Sequence, residues 1–250
     1  MMTLNQKLYQ LFQNKAQQVN IDTLSLGLGY TAVTTSEGGI GLSYTYFGDK
    51  RSCMVLNEHI DYEAKPASLL LEKIQSDDSV ERSMALALIN ALNYDTALAL
   101  PEDKDNSIMS EKLKIGTDSK IAMVGFFGPL VRNFKAKKVP LEILDESRGL
   151  GHRKDFYHKL GNWANVLLLT STSILNQSTE EILANVSKNV KTVMLGPSTP
   201  MVEQAFGHLP VCMLAGTVAM EKNKILKAVR HGMGTPVLHK FSRKSFLSLA

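Results

Sequence analysis

The stretch VKTVMLGPSTPM, from Val190 to Met201, places more chemistry in one turn than any other part of the chain. Apolar and β-branched residues run into Gly196, and Pro197, Ser198, Thr199 and Pro200 follow. A strand that stops at glycine and leads through hydroxyls into a helix brings backbone amides and side-chain oxygens to one point, where a ligand can be met. The same residues also suit an ordinary strand-to-helix turn, with Ser198 or Thr199 as the cap and Pro200 at the first helical position. Four other places resemble it. These are Gly125 to Pro129, Asp145 with Glu146, Thr170 to Thr172, and Gly216 with Thr217.

All five follow a segment that reads as a buried strand. KIAMVGFFGPLVRNFKAKK is strand, glycine turn, helix, and VPLEILDES is a strand ending in acids. ANVLLLTSTSILNQSTEEILANV, KTVMLGPSTPMVEQAF and PVCMLAGTVAMEKNKILKAVRHG repeat strand, turn and helix, and TPVLHKF reads as a last strand. Continuous apolar strands separated by helical segments predict a parallel sheet covered on both faces, an α/β, Rossmann-like unit. In such sheets ligands bind beyond the strands' carboxyl ends, so the five turns converge on one candidate site.

The first part of the chain is organised differently. MMTLNQKLYQLFQNKAQQ has amphipathic helical spacing through Leu4, Leu8, Leu11 and Phe12. TLSLGLGYTAVTTSEGGIGLSYTYF reads as two strands about the turn Glu37-Gly38-Gly39. PASLLLEKIQ and SVERSMALALINALNYD have apolar residues at helical spacing, the second with Ser79 as its cap. The expected division is a small α+β domain over residues 1–100, a polar connection over 101–119, and the Rossmann-like domain over 120–250.

Each chemical reading has a competitor. Gly125 and Gly128 form Gly-x-x-Gly, short of the full dinucleotide fingerprint, although Asp145 stands about 20 residues on, where a ribose acceptor belongs. Ser178 or Thr179 caps the helix near Glu180, leaving Thr170, Ser171, Thr172 and Asn176 as spare polar groups. His59, His152, His158, His208, His231 and His239 show no His-x-x-x-His spacing, and Cys-x-x-Cys does not occur, so no soft-metal site is written in the sequence. Oxygen ligands remain open. Gly-x-Ser-x-Gly and P-loop motifs are missing too, which removes the strongest hydrolase and triphosphatase readings. Glu37, before two glycines, is the lone acid best placed to reach a ligand.

Composition sets the class. In 250 residues, 44% are hydrophobic and 21% charged, as in ordinary globular proteins, and the net charge is +4. The densest basic cluster, Lys135, Lys137 and Lys138, reads as a solvated helix end, and no nucleic-acid partner is expected. Cys53 and Cys212 each lie in an apolar run and read as reduced core thiols. With no signal core and no apolar run approaching a membrane span, a cytoplasmic protein without membrane association is expected. A homodimer is the default assembly.

SKNVKTVMLGPSTPM, VCMLAGTVAMEKNKILKAVRHGMGT and ANVLLLTSTSILNQSTEEIL together resemble the C-terminal domain of the uncharacterised bacterial and archaeal family described as putative heavy-metal chelation proteins. GLGYTAVTTSEGGIGLSYT with SMALALINALN resembles its N-terminal domain. The resemblance implies an enolase-N-terminal-like α+β domain joined to a Rossmann-like domain, with the site in the cleft between them. Carried over by position, it implicates Glu37, Gly38 and Gly39; Gly125, Phe126, Phe127, Gly128 and Pro129; Thr170, Ser171, Thr172 and Asn176; Gly196, Pro197, Ser198, Thr199 and Pro200; and Ala215, Gly216 and Thr217. RGLGHRKDFYHKLGNW departs from the family, being more basic and histidine-bearing than the acidic, proline-containing segment of relatives.

Two function classes follow. One is a protein that binds a small anionic or metal-chelating ligand in the interdomain cleft and acts on it, with Glu37 or Asp145 as base or ligand to a divalent metal ion. The other is a non-catalytic carrier or sensor of such a metabolite. A nucleotide-dependent Rossmann oxidoreductase is the weaker third reading.

Overall fold

The computed structural model describes residues 2–48, 56 and 60–249, so Cys53 and His59 lie outside the described residues. The N-terminal segment forms α1 (Leu4–Gln18), closed at its start by a capping box between Thr3 and Gln6. Leu4, Leu8 and Phe12 are buried as their spacing predicts, whereas Leu11 faces solvent.

Three strands follow, one more than the sequence suggested: β1 (Ile21–Leu26), β2 (Tyr30–Thr35) and β3 (Ile40–Tyr44), paired antiparallel in that order. Gly27 ends β1 before the return into β2. A Cβ there would stand 2.3 Å from the Val229 carbonyl, so only glycine fits the turn. Behind this sheet lie α2 (Ser68–Leu71), a 3-10 turn over Glu72–Gln75, α3 (Ser79–Leu92) and α4 (Tyr94–Ala99). Asp78, not Ser79, caps α3, its carboxylate accepting from the amides of Val80 and Glu81.

The expected connection is structured. It holds α5 (Ser107–Lys112), whose first turn is held by buried Asp103 through the amides of Ile108 and Met109. Then come β4 (Ile121–Val124), α6 (Gly128–Ala136), β5 (Leu141–Leu144) and α7 (Arg153–Asn162). Next are β6 (Val166–Thr170), α8 (Thr172–Leu175), α9 (Thr179–Ala184), β7 (Lys191–Leu195) and α10 (Glu203–Phe206). The chain closes with β8 (Met213–Ala219), α11 (Lys222–Arg230), α12 (Thr235–Leu238) and β9 (Ser242–Ser248).

These strands form one six-stranded sheet in the order β5-β4-β6-β7-β8-β9, parallel except for β9. The α/β class with a parallel sheet is as expected, but the end of the chain differs. TPVLHKF supplies α12 rather than a strand, and the last strand is the SRKSFLS segment, paired antiparallel to β8. Alternation along the strands divides the core. Ala122, Leu167 and Leu169 join Phe156 and Leu160 of α7 in one cluster, which extends to Leu8, Phe12, Leu86 and Leu88 of α1 and α3. Ile121, Met123, Leu168 and Val193 pack on the other face with Met109, Val131 and Phe134. Each such buried side chain contributes about 1.5–3 kcal/mol of transfer free energy, and the shared cluster joins the two sheets through one core.

Among the described residues no helix is long and apolar enough to cross a membrane. Cys212, expected in the core, is exposed at the start of β8, where its Sγ donates to the Thr192 carbonyl oxygen at 3.1 Å.

Candidate functional site

The strand order reverses direction at β4. The chain passes from β4 to β5 on one side and then crosses to β6 on the other, so the turns after β4 and β6 flank the topological switch point. Gly125 holds φ +85°, and a Cβ on it would lie 3.0 Å from that of Thr170, so glycine lets the two turns touch. Thr170 and Thr172 share a hydroxyl hydrogen bond of 3.0 Å. Phe127 sets the start of α6 and packs partly against the core, and Pro129 stands in the helix's first turn. Phe126 is exposed beneath the Arg148 guanidinium, 4.8 Å from the ring centroid. No side chain caps α6.

Gly196 is the next hinge of this edge. It has φ +131°, and a Cβ on it would come 2.8 Å from Ser171 Oγ. Ser171 is 1% exposed and Thr199 3%, and neither hydroxyl has a hydrogen-bond partner among the described residues. Burial of an unpaired hydroxyl costs free energy, so each one calls for an explanation in the protein's use of it. Helix capping does not supply it. Thr199 precedes an extended segment, and α10 begins only at Glu203, after Val202, so Pro200 opens no helix.

The three-stranded sheet and α3 grip this turn. Tyr44 N–H donates to Ser198 Oγ at 2.7 Å, Asn90 Nδ2 to the Ser198 carbonyl at 3.3 Å, and Asn93 Nδ2 to the Met201 carbonyl at 2.9 Å. Gly216 is not a turn residue. It lies inside β8 with Ala215 and Thr217, and a Cβ on it would meet Met201 Sδ at 2.9 Å and the Thr199 carbonyl at 3.2 Å. Its missing side chain lets the Gly196–Met201 turn lie on the strand. Gly216 pairs with Ser245 of β9, so the two share a face of the sheet, and among the described residues Ser245 Oγ and Thr192 Oγ1 are further buried hydroxyls without a partner. Asn90, Asn93 and Ser245 went unmarked in the sequence because they lie on a helix face and a misassigned strand.

Other expected members stand elsewhere. Glu37 and Gly38 sit in the exposed tip joining β2 to β3, at the end of β3 opposite Tyr44; five strand residues span roughly 15 Å, and Glu37 pairs with Lys15 at 3.4 Å. Gly39 packs on α3, where a Cβ would come 2.3 Å from the Ala91 carbonyl. Asn176 is exposed and accepts from Ser178 N–H and Oγ–H, a local turn. Pro197 is half-buried between Gly196 and Ser198.

Asp145 follows β5 and starts a 3-10 turn. Its carboxylate accepts from Ser147 Oγ at 2.6 Å and Arg148 N–H at 3.2 Å, with Arg148 Nε 3.6 Å away. Beside it Glu146 takes a bidentate bond from Arg153, whose guanidinium also lies 3.5 Å from Glu181. The Glu146 bonds raise the Arg153 pKa, and burial, followed by the bond to Glu181, pushes the Tyr157 phenol up to about 12.

Among the described residues no three His, Cys, Asp or Glu side chains form a group that could hold a metal ion. The turns after β6 and β7 offer hydroxyls and glycine-opened backbone, and of the acids after β5 Asp145 accepts two hydrogen bonds on Oδ1 with Oδ2 3.6 Å from Arg148 Nε, while Glu146 is held by Arg153. Soft heavy metals select thiolate and imidazole, so the described residues of this edge do not fit a directly coordinated heavy-metal ion.

Two family models match the chain. Residues 108–248 match DUF364 and residues 9–93 match DUF4213, both described as "Putative heavy-metal chelation". The chain belongs to this family. An uncharacterised protein of Methanocaldococcus jannaschii is 20% identical over 96% of this chain and 95% of its own length. The fold is that of two crystal structures of DUF364 proteins of unknown function. One, from Pyrococcus horikoshii, has a TM-score of 0.81 at 20% identity, covering 99% of this chain and all of its own. The other, from Desulfitobacterium hafniense, has a TM-score of 0.77 at 19% identity, covering 98% of both chains.

Proposed function

We propose that this chain binds a small anionic or metal-chelating ligand where the turns after β4, β6 and β7 meet the three-stranded sheet. The observation that carries the reading is the pair of buried, partnerless hydroxyls of Ser171 and Thr199 on either side of Gly196. Hydroxyls in a water-poor site donate to an oxyanion, and the uncapped start of the nine-residue α6 adds free amides with the favourable end of its dipole. A ligand that brings its own metal donors reconciles this chemistry with the family's description. Among the described residues the contacts bring no carboxylate or imidazole to the hydroxyl pair, so the reading rests on binding, and turnover is left to the test.

The test is native mass spectrometry with elemental analysis of protein purified without chelators, followed by thermal unfolding with phosphate, citrate and their zinc and nickel complexes. A ligand at 100 times its Kd stabilises by about 2.7 kcal/mol, several degrees in Tm for a chain of this size. That shift is expected for an oxyanion or chelate and is lost in the Ser171→Ala/Thr199→Val double variant. A shift with free zinc or nickel alone, undiminished in the double variant, would overturn the proposal.

A further inference from the structure

Two adjoining grooves run along the start of α1, and the smaller is bordered also by Ser173 and Ile174 of α8. Open to solvent, they have volumes of about 530 and 440 Å3 and share Gln6 and Gln75 as a common wall. One wall is the first turns of α1, another the Glu72–Gln75 turn, and the third the α8–α9 segment.

The lining is dominated by carboxamides. Gln10 and Gln13 face the larger cavity and Gln177 the smaller, and with Gln75 their side-chain amides have no protein partner among the described residues. Gln6 Oε1 accepts from Thr3 N–H at 2.9 Å, which leaves its amino group free. The walls are fixed in place. Asn5, 8% exposed, donates from Nδ2 to the carbonyls of Ile74 at 3.0 Å and Ile174 at 3.4 Å, bridging all three.

An anion has no counterpart here. Among the described residues no Lys, Arg or His lines either cavity, and the positive end of α1 is already occupied by Glu180, whose Oε1 accepts from Leu4 N–H at 2.6 Å. A carboxamide presents a donor and an acceptor side by side, and the group that answers both is a hydroxyl. Tyr9 supplies a ring for an apolar face. A volume of several hundred Å3 holds a ligand of one or two sugar rings. The geometry points to a binding site for a neutral saccharide in this groove, separate from the hydroxyl pair and independent of what binds there.

The full chain is titrated by saturation-transfer NMR and calorimetry with glucose, galactose, N-acetylglucosamine, maltose and trehalose, with glucose 6-phosphate and trialanine as controls. At least one neutral sugar is expected to bind at or below about 10 mM, more tightly than either control. Gln75→Ala and Gln10→Ala are each expected to weaken it about tenfold, the loss of roughly one net hydrogen bond, with Tm unchanged because both side chains are exposed. No transfer from any neutral sugar, tighter binding of trialanine or of the phosphate, or full affinity in both variants would each overturn the inference.

Discussion

The carboxyl edge of the six-stranded sheet carries two kinds of polar residue that behave in opposite ways. After β5 the acids are paired: Asp145 with Ser147 and Arg148, Glu146 with Arg153, and Glu181 with Tyr157. After β6 and β7 the polar side chains are neutral, and beside the bonded Thr170, Thr172 and Ser198 two of them, Ser171 and Thr199, are buried without a partner among the described residues. Charge therefore marks where this edge is already satisfied. Unused bonding capacity lies with the hydroxyls, which a search for acids and bases passes over.

Substitutions can break that contrast, and the largest effect is expected at Gly196. Its φ of +131° and the 2.8 Å approach of Ser171 Oγ mean that Gly196→Ala should lose about 1–3 kcal/mol in chemical denaturation. Combined with Ser171→Ala, part of the loss should return, because the clash is removed while the backbone strain stays. A fully additive pair would show that Gly196 and Ser171 do not meet. On the charged side, Asp145→Ala removes the acceptor that starts its 3-10 turn and should cost about 1 kcal/mol; no loss would mean the carboxylate is spare and free for a ligand. Ser171→Ala alone should leave the ligand-free protein within about 0.5 kcal/mol of wild type, or slightly more stable, since it deletes an unpaired group. A clear destabilisation would reveal a bonded hydroxyl.

The smallest effect is one of pH. Tyr157 has its pKa raised to about 12, so the folded state holds the phenolic proton that the unfolded chain releases near 10. Stability from this group is whole below pH 10 and is lost as pH rises toward 12. Tyr157→Phe should flatten that part of the alkaline unfolding curve, and an unchanged curve would assign the loss to other groups.

The parallel sheet was legible because its strands are continuous apolar runs, buried on both faces. The antiparallel members were harder. β9, SRKSFLS, has only two apolar residues, side by side, and carries two cations, so TPVLHKF looked the better strand until β8 supplied the partner. Ala-Gly-Thr after Leu214 resembled a turn because glycine so often ends a strand; here its bare Cα makes room for Thr199 and Met201, a long-range reason that no local pattern contains. Within the candidate site Gly125, Thr170, Ser171, Gly196 and Thr199 were found through strand-end logic, and the contacts bring them together. Glu37 could not be placed the same way, since its distance from them depends on which end of a hairpin faces the second sheet.

One feature of the last strand reaches beyond the folded state. β9 closes the sheet against β8, and its other side holds the chain just past α4: Phe246 N–H bonds the Pro101 carbonyl, Asp103 N–H the Lys244 carbonyl, and Arg243 the carbonyls of Leu98 and Leu100. Leu98 and Leu100 thus wait for a partner 145 and 143 residues further along the chain. Until then β8 is an open edge beside an unanchored connection, a state prone to pair with other chains. Joining partners so distant in sequence is also slow. The closing strand therefore sets the interval in which a newly made chain is most exposed to aggregation, and removing it should be felt first in yield from the cell.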